Sequence, residues 1–198
     1  MIQKAMVDIK TSDGAMPAHW MLPAGPGPFP GVIVLMEAFG LVKHIEEVSE
    51  RLAGEGYAVL APDLYYRQLP DNKTGYDELP KAIGLMQKVD DKKFVEDMKA
   101  AFAFMEHSGK VRADRIGVTG FCMGGRLAFL TAAALPDQVA AAAPFYGGGI
   151  HNHLDQASAI KAPLRLFFAD KDGFIPLEQV QAIDAKLKEL GKDYRIKR

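Results

Sequence analysis

One stretch constrains this 198-residue chain more than any other: Ile116-Gly117-Val118-Thr119-Gly120-Phe121-Cys122-Met123-Gly124-Gly125-Arg126, which holds its only cysteine. A short apolar segment leads into Gly120-x-Cys122-x-Gly124, and an apolar run over 127–135 follows. A strand, a sharp turn and a helix in that order make a nucleophile elbow. The reactive side chain sits on a strained turn, and small flanking residues let strand and helix approach closely. A thiol placed there stands at the N-terminus of the next helix, where free amides and the helix dipole favour a thiolate and stabilise a developing oxyanion. A lone cysteine is more commonly a small buried hydrophobe. Here the two flanking glycines and the strand–helix context favour the reactive reading.

The rest of the chain supplies a frame for such a turn. Residues 4–10, the turn Ser12-Asp13-Gly14 and residues 15–22 predict a β-hairpin, followed by a Pro- and Gly-rich connector. Residues 31–35 form a continuous apolar run, the pattern of a central parallel strand buried on both faces, and deliver Glu37 to its carboxyl end. An amphipathic helix is expected over 44–54, with Ile45, Val48 and Leu52 on one side, and a second buried strand over 57–61. Between 66 and 89 the pattern is weak, with loops around at most one short helix near 80–87. Residues 91–107 carry Phe94, Val95, Met98, Ala101, Phe102 and Met105 at helical spacing, as core contacts. After the elbow come a strand over 139–143, a loop over 144–162, a strand over 164–168, a helix over 177–190 and the start of one more strand over 193–198. This alternation predicts a mainly parallel central sheet with helices on both faces and a site at the carboxyl ends of its strands. Glu37, Cys122 and the segment 170–172 all fall there.

Charge and composition narrow the partners. Lys plus Arg (24) nearly balance Asp plus Glu (25), a net charge of −1, so neither nucleic acid nor an anionic membrane is an expected partner. The length suits a single domain over 1–198. One cysteine makes no internal disulfide, no secretory-type leader opens the sequence, and no apolar run reaches transmembrane length. The expected setting is the cytoplasm and the expected partner a small molecule, with the chain a monomer or homodimer. Neither a cofactor nor a metal is expected. His151-x-His153 has no acidic or cysteine partner set near it in sequence, and reads as a surface loop.

A nucleophile also needs an acid that orients its base, and Asp170 and Asp172 compete for that place on residue type alone. The motifs Met36-Glu37-Ala38-Phe39-Gly40, Gly56-Tyr57-Ala58-Val59-Leu60-Ala61-Pro62-Asp63-Leu64-Tyr65, Gly120-Phe121-Cys122-Met123-Gly124-Gly125, Phe145-Tyr146-Gly147 and Asp170-Lys171-Asp172-Gly173-Phe174-Ile175-Pro176 span nearly the whole sequence. In that order they resemble the dienelactone hydrolase family of the α/β-hydrolase fold. The resemblance implies a carboxylic ester or lactone hydrolase that works through a thioester on Cys122, with Asp172 as the triad acid. It further implies that Glu37 is a buried carboxylate bonding the resting thiol and helping to ionise it, and that the Met123 and Ala38 amides form the oxyanion hole. Substrate carboxylates in the family meet arginines, for which Arg126 and Arg67 are candidates. The family's catalytic histidine belongs in a loop after the final strand, whereas His19, His44, His107, His151 and His153 all precede Asp172. The C-terminal strand and histidine loop are therefore expected to be truncated, and the alternative expectation is a catalytically impaired or non-catalytic domain of the same fold.

Overall fold

The computed structural model describes residues 1–70 and 72–198; Asp71, inside the loop expected over 66–89, lies outside the described residues. The hairpin forms as expected, with β1 (Gln3–Thr11) and β2 (Gly14–Leu22) paired in antiparallel register around Ser12 and Asp13. β3 (Phe29–Leu35) and β4 (Ala58–Pro62) follow, joined by α1 (Lys43–Gly54). Then come α2 (Leu79–Met86), α3 (Asp91–His107) and β5 (Val111–Phe121). The chain continues through α4 (Met123–Ala134), β6 (Ala141–Phe145), β7 (Leu164–Phe167), α5 (Leu177–Glu189) and β8 (Tyr194–Lys197). All eight strands join one sheet in the order β1-β2-β4-β3-β5-β6-β7-β8, parallel from β4 to β8 and antiparallel at the hairpin edge.

Local chemistry explains the best-defined boundaries. Asp90 caps α3 by accepting the Lys92 and Lys93 amides at 3.0 and 2.9 Å, satisfying donors that the first helical turn cannot. Phe94, Met98, Ala101, Phe102 and Met105 then bury one face of that helix, while Val95, expected with them, is half-buried at its margin. β6 starts two residues later than expected, because the alanine-rich stretch 139–143 carries no edge signal of its own. The loop expected over 144–162 contains a 3₁₀ segment, Ile150–Ala159, kinked at His153.

Helices lie on both faces of the sheet, as expected, and are unevenly distributed. α4 packs on β5, β6 and β3, α3 on β1 and β5, and α5 on the 3₁₀ segment. α1 packs on β4 and β2 and leaves the same face of β5, β6 and β7 bare. There Val32, Gly117, Thr119, Ala141, Ala143 and Phe145, with Leu52 of α1, line an apolar trough of about 560 Å³. No helix among the described residues is long and apolar enough to cross a membrane.

Candidate active site

The carboxyl end of β5 turns at Cys122 into α4, and the turn is sharp because Cys122 adopts φ 55°, ψ −115°. A non-glycine residue in that region costs about 1–3 kcal/mol and persists only when its surroundings hold it there. Three contacts do so. The Cys122 amide donates to the Phe145 carbonyl at 3.1 Å, and its carbonyl accepts from Gly125 and Arg126 at 3.0 and 3.2 Å. The flanking glycines are required by close approach: a Cβ on Gly120 would strike the Gly124 backbone, and one on Gly124 would strike the carbonyls of Leu35 and Met36. Tyr146, at φ 38°, is the other non-glycine residue with positive φ among the described residues, and it stands at the end of the neighbouring strand.

The backbone amides of Met123 and Ala38 both favour the Cys122 thiolate. One belongs to the first turn of α4 and the other to the loop after β3. Tyr65, fully buried, braces the pair: its hydroxyl lies 3.0 Å from the Ala38 carbonyl and 3.4 Å from the Met123 sulfur. Burial pushes the Cys122 thiol above its ordinary value, the two amides pull the other way, and the charges of Glu37 and Asp172 push it up again. Glu37 is 9 % exposed and its oxygens are taken by tyrosines. Tyr76 donates to Oε2 at 3.1 Å and Tyr146 to Oε1 at 3.4 Å. Burial and the Glu37 charge raise both phenols to about 12. Glu37 thus bonds Tyr76 and Tyr146, and its charge works against ionisation of the thiol.

Asp172 sits in the loop after β7, where its Oδ1 accepts the Phe174 and Ile175 amides at 2.8 and 3.2 Å. Asp170 is turned outward and paired with Arg198 at 2.7 Å. Among the described residues no histidine is hydrogen-bonded to Asp172. Arg67 is committed elsewhere, holding Asp97 through two nitrogens at 2.6 and 2.9 Å and Asp13 at 2.6 Å. Arg126 does reach the site. It helps line a cavity of about 1070 Å³ that opens over Cys122, with its Nη1 3.1 Å from Asp91 Oδ1 and 3.4 Å from His153 Nε2.

His151 and His153 line this cavity too, so the surface-loop reading of that segment is corrected: it is a 3₁₀ segment packed on α4 and α5, and the buried Nδ1 of His151 has no partner among the described residues. Sequence reasoning also missed Tyr76, which lies in the weakly patterned stretch and is held by its ring on Phe39 at 4.5 Å. No periodicity announces it.

Comparison with known proteins matches this arrangement to one family. The model of the dienelactone hydrolase family matches residues 16–198. The chain belongs to the dienelactone hydrolase family. It is 37% identical over 194 residues to a Methylorubrum extorquens protein named "Putative carboxymethylenebutenolidase", the match covering 94% of this chain and 66% of that protein. A Synechocystis protein of the same name is 33% identical over 209 residues, covering 96% of this chain and 83% of its own length. The crystal structure titled "Putative Dienelactone Hydrolase" from Klebsiella pneumoniae superposes with a TM-score of 0.88 at 32% identity, covering 100% of this chain and 85% of that one. The eight-stranded sheet is accordingly that of the dienelactone hydrolase branch of the α/β-hydrolase fold, a family of hydrolases acting on carboxylic ester or lactone bonds.

Proposed function

We propose that this chain opens carboxylic esters or lactones by attack of the Cys122 thiolate on the carbonyl carbon. A C–S bond forms, the C–O bond breaks, and the departing alkoxide takes a proton from water to leave as the alcohol. Water then attacks the resulting thioester and releases the acid and the thiol. The observation that carries this reading is the turn after β5 that holds Cys122 at φ 55° with its side chain lining the cavity, where the Met123 and Ala38 amides both favour the thiolate. Two amides that can hold a sulfur can hold an oxyanion once the substrate carbonyl enters and the sulfur moves to the carbon. Asp172 is the acid of this site, and Glu37, clamped by two tyrosines, fixes the negative side of the cleft. Because Cys122 must stay reduced, we infer a cytoplasmic setting.

No histidine is bonded to Asp172, so a base for the water step is missing from the described geometry, whereas acylation needs only the thiolate. The 198-residue polypeptide should therefore react with p-nitrophenyl acetate in a burst of about one nitrophenolate per chain, with slow turnover afterwards. Intact-mass analysis should find the acetyl group on Cys122, and Cys122→Ala should remove burst and adduct together. Fast steady turnover that depends on Cys122 would show that another group serves as base. No burst and no adduct would favour a non-catalytic domain.

A further inference from the structure

The cavity over Cys122 has two unlike walls. One is polar, with Arg126, Asn152 and His153. The other is apolar and comes from α2. Leu79, Ile83 and Met86 follow the i, i+4, i+7 spacing of a single helical stripe, and all three face the cavity. The stripe beside it, Ala82 and Leu85, is 0% and 5% exposed and anchors α2 to the body of the protein. Leu79 and Ile83 remain 43% and 38% exposed. Phe174, 84% exposed, also lines the cavity, on the loop whose backbone Asp172 fixes. A helix apolar on both sides, with its second stripe lining a cavity that holds a candidate nucleophile, fits a ligand that is itself apolar on that side.

We propose that the Leu79–Ile83–Met86 stripe and Phe174 form a subsite for an alkyl or aryl group on one side of the ester bond, so that the substrate is a carboxylic ester carrying a medium-length apolar group. This rests on the ester-cleaving reading given above. The compact polar lactone implied by the family's name would leave that wall in water, whereas an alkyl chain of six to eight carbons, roughly 6–9 Å long, would cover it. Each methylene so covered is worth up to about fourfold in binding.

Two series of esters test the subsite: p-nitrophenyl esters from acetyl to octanoyl, and acetate esters of alcohols from ethyl to octyl. Acylation of Cys122 is followed by nitrophenolate release in the first and by intact mass in the second. In one series the second-order rate should rise at least tenfold from two to eight carbons. Ile83→Asn and Phe174→Ser should each flatten that ratio, and Ile83→Leu should keep it. A ratio below twofold in both series, or one unchanged in both polar variants, overturns the proposal. Binding of unreactive N-alkyl acetamides to the Cys122→Ala protein, measured by calorimetry, separates the two readings. Affinity rising with chain length and falling in Ile83→Asn supports the subsite even where no ester reacts. Flat affinity counts against the subsite even where Cys122 is acylated.

Discussion

At the scale of single residues, the thiol is the most informative group, because its neighbours pull it in opposite directions. The amides of Met123 and Ala38 favour the thiolate, while burial and the charges of Glu37 and Asp172 disfavour it, and the sum leaves the thiol above its ordinary 9.0. Alkylation of Cys122 by iodoacetamide should therefore rise with pH without levelling before about pH 9. Glu37→Gln removes the larger of the two opposing charges and should move this profile to lower pH. Asp172→Asn should move it the same way by less. A shift to higher pH in Glu37→Gln would mean that Glu37 accepts the thiol proton. The linkage to stability has a definite sign. A thiol whose folded value lies above its unfolded value favours the native state fully below pH 9.0, and loses that contribution as the pH rises through the folded value. Tyr65 acts one step behind the thiol by holding both amide-bearing residues. Tyr65→Phe should cost about 1 kcal/mol in urea unfolding and slow Cys122 acylation while leaving the fold intact.

At the scale of elements, α3 is tied to the hairpin and the loop after β4 through one buried carboxylate. Asp97 is 2% exposed; it accepts two bonds from Arg67 and one from the Tyr66 hydroxyl at 3.0 Å, while the guanidinium carbon lies 4.4 Å from the Tyr66 ring centroid. Arg67→Ala would leave that carboxylate buried without its counter-charge and should destabilise the protein by about 3 kcal/mol in urea unfolding. Arg67→Met with Asp97→Leu should recover much of the loss, and a full loss in the double variant would show that the pair does more than neutralise itself. None of this was legible in the sequence, where Arg67 reads equally well as a substrate-binding residue. What was legible follows from short-range physics: α3 has both an Asp90 cap and a 3.6-residue apolar period, the hairpin has an Asp-Gly turn, and the elbow has glycines where a Cβ would collide with backbone. What was hidden depends on contacts between distant segments. The 3₁₀ segment has no period, and Tyr76 and Tyr146 meet Glu37 across 39 and 109 residues of chain. His151 and His153 reach the cavity because that segment packs on α4 and α5.

At the scale of the whole molecule, the uneven coverage of the sheet decides how this polypeptide behaves in solution. Parallel strands are ordinarily buried on both faces, since their side chains are apolar on both. Here α4 covers β5 and β6 on one side only. On the other, Phe145 stacks on Phe167 at 4.2 Å and Phe121 lies 5.1 Å from Phe145, a half-buried aromatic row beside the trough floored by Gly117, Ala141 and Ala143. A contiguous apolar surface of this kind binds hydrophobic dyes and drives association. The 198-residue polypeptide should bind anilinonaphthalene sulfonate in its native state, and its sedimentation coefficient should rise with concentration. Ala141 is exposed and pairs beside Gly117, so Ala141→Glu would set a carboxylate on the trough floor away from Cys122. That change should lower dye binding severalfold and remove the concentration dependence, while the melting temperature stays within a few degrees. Dye binding that survives Ala141→Glu but falls in Ile83→Asn would place the exposed apolar surface in the cavity over Cys122. The same strands that carry this bare face end at Cys122 and Tyr146, joined by the bond from the Cys122 amide to the Phe145 carbonyl. Anything that covers the face should therefore also slow hydrogen exchange at the Cys122 amide, and unchanged exchange in the dye-bound protein would show that face and elbow are mechanically independent.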